Sequence, residues 1–423
     1  MSAYSNISGL FKRRYAPFVN PLPSDRTLAK EMKFVPAELR PGEDYRFPLQ
    51  SGLEGGVTHD TSETAFTLNS VVDSTVQVAN LDGASILVAG NIPYDVIAKA
   101  MNGDGSYMTM VDYKVKALMQ AGELYRELAL AYGGGTGAAV SASIATVSTS
   151  VSGANLGAGQ VLDMTRATWS AGIWNNMVGQ LVDILQSDGD TSRETDVTVD
   201  AVAHTNNRVN MSKAASAAVV ATGDLIIARG SEDSTCYGVK AILQNTGSLF
   251  GINAGTYPFW QAETYSAGSA SLTIQMLQNI GARLSRNGLD KGGKVFVAPE
   301  TFADLVTELQ DHDRYVNPSG DAKQSGLYTM TIKSACGPLE VICYKWQQQG
   351  FAWVIGNGTG KRVGSTDLTF SLPGTNNRFH VELESTAGVQ FRIFTNQAPI
   401  LTVPYHCAII TNIQNNGDTT PSA

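Results

Sequence analysis

Residues 109 to 135 read TMVDYKVKALMQAGELYRELALAYGGG, and this stretch decides the fold. Val111, Val115, Leu118, Gly122, Tyr125 and Leu128 or Ala129 recur at spacings of three and four, the period of one face of an α-helix. Asp112 with Lys116, and Glu123 with Arg126, fall on the opposite face at spacings that let opposite charges support each other. At 1.5 Å per residue the helix would run roughly 35 Å. Gly133, Gly134 and Gly135 end it, since glycine can take the left-handed conformation that closes a helix.

Upstream, residues 1–46 form a polar arm with five of the 15 prolines and a short helix expected over Asp25 to Phe34. The arm also holds the basic cluster Lys12, Arg13 and Arg14. From Phe47 to Ala98 there is no lysine or arginine, while Glu54, Asp60, Glu63, Asp73, Asp82 and Asp95 are present. Phe66 to Leu68 and Val76 to Val78 alternate at the strand period, and Ile86 to Val88 adds an apolar run, so a long hairpin or small sheet is expected.

Downstream, Gly133 to Leu162 carries no formal charge and reads as a linker or loose arm. From Asp163 to about Glu263, short runs at 180–185, 196–202, 207–211 and 224–228 predict a small barrel or sandwich. Trp169, Ile173 and Met177 allow a helix into Leu181 instead. Leu272 to Leu284 is again helical, Lys294 to Ala298 reads as a buried strand, and Pro299 opens a helix with Phe302, Leu305, Val306 and Leu309 on its apolar stripe. Strands are expected at 339–344, 351–355, 380–383, 389–394 and 408–413.

Charge and composition exclude several functions. Of the 423 residues only 16% are charged, against roughly 25% in ordinary soluble domains. Forty-two glycines and a net charge of -8 leave a neutral-polar exterior suited to large protein interfaces and unsuited to sequence-specific DNA binding. No apolar run reaches the length of a membrane-spanning helix, and the N-terminus lacks a signal peptide's apolar core, so the chain is expected to be made in the cytoplasm. Cys236, Cys336, Cys343 and Cys407 lack paired spacing and are expected as buried free thiols.

No residue set points to catalysis, a cofactor or a metal. Gly356 to Arg362 imitates a phosphate loop, but the spacing is one residue short and Arg362 stands where a Ser or Thr is required, so a turn between two strands is expected. The five histidines have no metal-ligand spacing, and His312 fits the end of a helix.

The order of these pieces resembles the major capsid proteins of tailed double-stranded-DNA bacteriophages, of the Hong Kong 97 type. The helix with its glycine stop is similar to the family's spine helix. Residues 294–305, Asp313-Arg-Tyr315, Gly326, residues 337–341 and the close at 406–413 are similar to the family's run from peripheral into axial domain. The resemblance implies an α+β fold with an arm (1–46), an extended loop (47–98), a spine helix region (99–135), the linker (136–162), an inserted β-rich subdomain (163–263), peripheral helices (264–325), an axial domain with return strands (326–400) and a C-terminal strand and tail (401–423).

By that resemblance the function is structural, without catalysis. Copies would assemble as pentamers and hexamers into an icosahedral virion shell around DNA held by non-specific contact, with a separate scaffolding protein, a portal and, in some cases, a decoration protein. Lys12, Arg13, Arg14, Glu54, Asp60 and Glu63 are candidate assembly contacts. Val111, Val115, Leu118, Tyr125 and Leu128 are the candidate core face of the helix. The rival readings are an encapsulin-like compartment and, at a distance, a monomeric β-rich hydrolase or surface-binding protein.

Overall fold

The computed structural model describes residues 28–35, 45–61, 65–81, 83–94, 106–135, 143–152, 155–316, 329–370, 381–382 and 387–415. In chain order the first elements are α1 (Leu28–Glu31), β1 (Lys33–Val35), β2 (Tyr45–Gln50), β3 (Val76–Leu81), β4 (Ala84–Pro93) and α2 (Ser106–Tyr132). Then come β5 (Ala145–Ser152), β6 (Gln160–Met164), α3 (Ala171–Trp174), β7 (Leu181–Leu185), β8 (Ser192–Ala203), β9 (Arg208–Ser212), β10 (Leu225–Ala228) and α4 (Val239–Leu243). After β11 (Ser248–Leu249) and β12 (Ile252–Asn253) follow β13 (Glu263–Ala270), α5 (Ile274–Arg286), β14 (Gly293–Val297), α6 (Pro299–Val316), β15 (Thr329–Ser334), β16 (Gly337–Cys343) and β17 (Ala352–Gly356). The last are β18 (Gly360–Thr369), β19 (Val381–Glu382), β20 (Gly388–Leu401) and β21 (Ala408–Ile413).

The chain divides into two units, the smaller drawn from 87–123 and 368–394 and the larger from the remaining described residues. In the smaller unit β19 pairs antiparallel with β20. Ile92, Leu118, Phe391 and Ile393 form its buried core, with Val88, Leu368, Phe370 and Val389 packed around them. Along β4, burial alternates at the two-residue strand period, and Ile92 is its buried residue. Leu118 projects onto the same inner face, where Gly90 leaves room for it: a Cβ at Gly90 would lie 3.1 Å from both Leu118 Cδ1 and Cδ2.

The larger unit holds a six-stranded sheet of order β13-β21-β17-β14-β16-β15. Leu277, Ile280 and Leu284 of α5 and Leu305 of α6 bury against Val295, Val297, Leu339, Val341, Val354 and Ile410 of that sheet. Thr273 caps α5 by accepting from Met276 N at 3.2 Å. A second body is a closed barrel of order β10-β5-β6-β9-β8-β7, filled by Val147, Leu162, Met164, Val182, Ile184, Val197, Val199, Val209, Met211 and Ile226. Closure leaves the barrel without an open strand edge. β1 runs parallel to β18, Lys33 to Val35 lying opposite Lys361 to Val363.

Several expectations from sequence are corrected. The uncharged stretch 136–162, expected as a linker, supplies β5 and most of β6 to the barrel, which therefore spans 145–228 and does not begin at 163. Its scattered Ala, Val and Ile residues become strand once partners exist to pair with them. The division at 325/326 crosses one sheet, because β13 and β14 pair in the same layer as β15, β16 and β17. Among the described residues the arm helix, expected over Asp25 to Phe34, is one turn, Leu28–Glu31, followed by a strand. Phe66 to Leu68 are not in a strand, and Ile86 to Val88 belong to β4, which pairs with β20 and not with the hairpin. Trp169 to Met177 hold only the four-residue α3.

The end of α2 is also set differently from expectation. Of the three glycines only Gly135 has a left-handed φ, of 60°. Gly133 is required by close approach, since a Cβ there would overlap the carbonyl oxygen of Cys236. Gly238 N donates to Gly133 O at 2.7 Å, and Gly134 bridges Tyr237. The helix stops where another stretch of backbone crosses it.

Candidate interaction surfaces

β2 and β3 form a two-stranded hairpin in register from Tyr45 opposite Leu81 to Gln50 opposite Val76. Tyr45, Phe47 and Leu49, with Ala79 and Leu81, turn inward against Ile252, Ala254, Trp260 and their surroundings. Arg46, Pro48 and Gln50, with Val76, Val78 and Asn80, turn outward. Beyond Gln50 both Ser51 N and Gly52 N donate to Thr75 O, at 2.8 and 3.2 Å, which is a β-bulge. The ladder resumes with Gly55 opposite Val72. From 50 to 55 is five steps and from 76 to 72 is four, so the bulge shifts the alternation by one. Odd-numbered Leu53 and Val57 thereby join the face that carries Pro48, Val72, Val76 and Val78.

That face is in solvent. Leu53 is 83% exposed, Val57 68% and Val72 62%, while Leu68 nearer the tip is 75% exposed. Single exposed apolar residues are ordinary, whereas several that share one exposed face mark an interaction surface. Glu54, Asp60 and Asp73 are exposed along the same segment. Of the sequence-proposed contacts, Glu54 and Asp60 are thus on the hairpin; Glu63, Lys12, Arg13 and Arg14 lie outside the described residues. Reading the sequence missed Leu53, Val57, Val71, Val72 and Val78, because apolar residues at strand spacing count as core until a structure shows nothing covering them.

The long helix distributes its apolar face between the two cores. Leu118 is buried in the smaller unit's core. Leu128 is buried in the main core of the larger unit, and Tyr125 is half-buried with its hydroxyl 3.2 Å from Gln180 Oε1. Val115 is half-buried, and the side chain of Val111 lies outside those described. Arg126 bonds Asp367 at 3.3 Å.

Three polar groups whose burial the sequence does not reveal lie in the larger unit. The Glu127 carboxylate accepts from Leu28 N at 2.9 Å, Ala29 N at 3.0 Å and Tyr344 Oη at 3.0 Å. Burial pushes its pKa up, partly offset by those hydrogen bonds and by Arg126. Arg362, the residue in the false phosphate loop, donates to Met32 O at 3.0 Å, Asp367 Oδ1 at 3.0 Å and Gln397 Oε1 at 2.6 Å. The loop itself is the turn between β17 and β18. Together Glu127 and Arg362 fasten α1 and β1 to the body, helped by a Lys294–Glu31 ion pair. The third group, Lys240, is bonded to Gln348 Oε1 at 2.9 Å.

Among the described residues no three His, Cys, Asp or Glu side chains converge to hold a metal, and no helix is long and apolar enough to cross a membrane. The four cysteines are free thiols, three of them buried; burial pushes Cys236 up to about 12, leaving an unreactive thiol.

No family model matches the chain, and no curated protein matches its sequence. Solved structures do match. A chain of the cyanophage A-1(L) capsid asymmetric unit superposes with a TM-score of 0.56 at 10% identity, over 98% of this chain and 100% of its own. The capsid of a native GTA particle gives 0.49 at 8% identity, over 98% of this chain and 99% of its own. The SrpI encapsulin of Synechococcus elongatus PCC 7942 gives 0.44 at 8% identity, over 100% of this chain and 99% of its own. The fold is the α+β capsid fold of the Hong Kong 97 type.

Proposed function

We propose that this chain is the major capsid protein of a tailed phage, a subunit that assembles in many copies into an icosahedral shell enclosing double-stranded DNA. The observation that carries the reading is the hairpin's outer face. Pro48, Leu53, Val57, Val72, Val76 and Val78 share one exposed side of a two-stranded ribbon with no cation between Phe47 and Ala98. A lone subunit cannot cover it, and a neighbouring copy can. The fold shared with the cyanophage A-1(L) capsid supports the same reading.

In this proposal 1–46 is an arm reaching a neighbouring subunit, 47–98 the extended loop and α2 the spine helix. The barrel at 145–228 is an insertion on the shell. Copies meet in rings of five and six. A separate scaffolding protein directs assembly, a portal occupies one vertex, and packaged DNA is held without sequence preference. The chain catalyses nothing.

The test is expression of the chain with and without Val72→Lys, read by light scattering and negative-stain microscopy. With the scaffolding protein co-expressed, closed particles from the parent and dispersed, folded subunits from the variant are expected. Normal particles from Val72→Lys would overturn the role of the hairpin face. A parent that stays near its monomer mass of 44.9 kDa, even alongside a scaffold, would overturn the shell. Native particles carrying enzyme in place of DNA would point to a compartment of the encapsulin kind.

A further inference from the structure

β11 and β12 are joined by a two-residue loop, Phe250 and Gly251, with Leu249 paired to Ile252 across it. Both loop residues are left-handed, Phe250 at φ 54° and Gly251 at φ 84°. Two left-handed residues in succession make the turn that matches the twist of a tight hairpin, and its first position ordinarily takes Asn, Asp or Gly. A bulky side chain there is strained, because its Cβ crowds a carbonyl oxygen. Among the described residues Phe250 is the one aromatic with a left-handed φ, the other non-glycine cases being Asp, Asn, Ala and Ser.

The surroundings hold it there. The Phe250 ring meets Tyr237 edge-to-face with centroids 5.6 Å apart and Trp260 at 6.5 Å. It packs on three apolar clusters at once: the main core, the cluster of Leu81 and Ile400, and the cluster of Leu49, Ala79 and Trp260. Tyr237 is fixed from the other side, since Gly134 bridges it and a Cβ on Gly135 would lie 2.5 Å from its ring. The Phe250 carbonyl then accepts from Asn80 N of β3 at 2.9 Å. Among the described residues the sheet that holds β3 has β2 as its only other strand, so this bond ties the root of the hairpin to the body through the main chain. A line of contacts thus runs from the end of α2 through Tyr237 and Phe250 to the hairpin.

We propose that Phe250 is a positioning residue for the β2–β3 hairpin: its ring wedges the turn into the left-handed conformation, and that conformation presents a carbonyl to Asn80 and holds the hairpin's root in one orientation. Backbone strain of this kind persists only where packing enforces it, and it gathers at functional sites. The hairpin so fixed carries the exposed face of Leu53, Val57, Val72, Val76 and Val78, and the bearing on assembly rests on the proposal that this face meets a neighbouring copy. If Phe250 only filled space, apolar size would rank its replacements. If the turn's conformation matters, acceptance of a left-handed backbone ranks them.

Amide hydrogen exchange on unassembled full-length subunits separates the two. Phe250→Ala removes the ring and keeps a Cβ that resists the turn, whereas Phe250→Asn and Phe250→Gly remove the ring and take up the turn readily. The Asn80 amide is expected to be about tenfold less protected in Phe250→Ala than in Phe250→Asn, the factor that corresponds to the left-handed cost of an alanine. Phe250→Gly should follow Phe250→Asn. The amides of Val295 and Val354, inside the six-stranded sheet, should hold in every variant. Protection at Asn80 that is equal in Phe250→Ala and Phe250→Asn, or higher in Phe250→Ala, overturns the proposal. Should Phe250→Ala not fold, Phe250→Leu takes its place: it keeps apolar volume without the left-handed preference, and protection at Asn80 no lower than in Phe250→Asn overturns the proposal equally. With the scaffolding protein co-expressed, closed particles are expected from Phe250→Asn and few from Phe250→Ala. Normal particles from Phe250→Ala overturn the part of the hairpin's root in assembly. A parent that forms no particles overturns the shell, and the exchange result, read on subunits alone, still decides the positioning role.

Discussion

Leu118→Ala and Gly90→Ala should rescue each other. Leu118 is 7% exposed, in a small cluster with Ile92, Phe391 and Ile393. Truncation to alanine removes its branched end and leaves a cavity, a change that costs about 2 to 5 kcal/mol in cores generally. A cluster of four buried side chains near the surface can partly collapse, so about 2 to 3 kcal/mol is expected here. Gly90→Ala adds a methyl 3.1 Å from both terminal carbons of Leu118 and 3.3 Å from its Cγ. Overpacking of that kind costs about 1 to 3 kcal/mol, offset by up to about 1 from the reduced freedom of the unfolded chain. In the double variant the new methyl occupies the space Leu118 vacated. The clash disappears and part of the cavity fills, so the two effects should fall short of additive by about 1 kcal/mol or more, within the range for contacting residues. Urea denaturation of unassembled parent, single and double variants measures the cycle. Additivity within about 0.3 kcal/mol would show that β4 and α2 do not meet at these residues, and the assignment of Leu118 to the helix's core face would fall with it.

Other outcomes can be checked independently. Tyr132→Phe removes the bond to Trp346 O and leaves Gln348 N without its acceptor, and should destabilise the subunit by about 1 to 3 kcal/mol in the same denaturation experiment. Gly133→Ala forces a methyl onto the Cys236 carbonyl and should cost more than the gain of helix propensity, giving poorly folded protein by circular dichroism. Deleting residues 1–15, with Lys12, Arg13 and Arg14, should leave folded subunits but few closed particles by electron microscopy; normal particles would remove the arm from assembly. With no lysine in Phe47 to Ala98, particles boiled in detergent should run as single chains, and a ladder of multimers on the gel would contradict that.

Sequence by itself determined the elements whose signal is local. The 3.6-residue recurrence of Val115, Leu118, Tyr125 and Leu128 placed α2 almost to its ends, and Lys294 to Leu309 announced β14 and α6, because a helix or strand buries one face and must repeat apolar residues at its own period. The false phosphate loop was likewise legible as a turn from spacing alone. What the tertiary structure decided is partnership. Residues 145–162 carry no charge or strong period, and they become strands only because β9 and β10, over forty residues later, offer ladders to them. Gly133 is needed because the backbone at Cys236 passes beside it, and Glu127 and Lys240 matter because folding removes their water. The outer face of the hairpin is the clearest case. Composition records only that Leu53, Val57 and Val72 are apolar, and whether an apolar residue is core or contact depends on what the fold leaves uncovered, which no local pattern encodes.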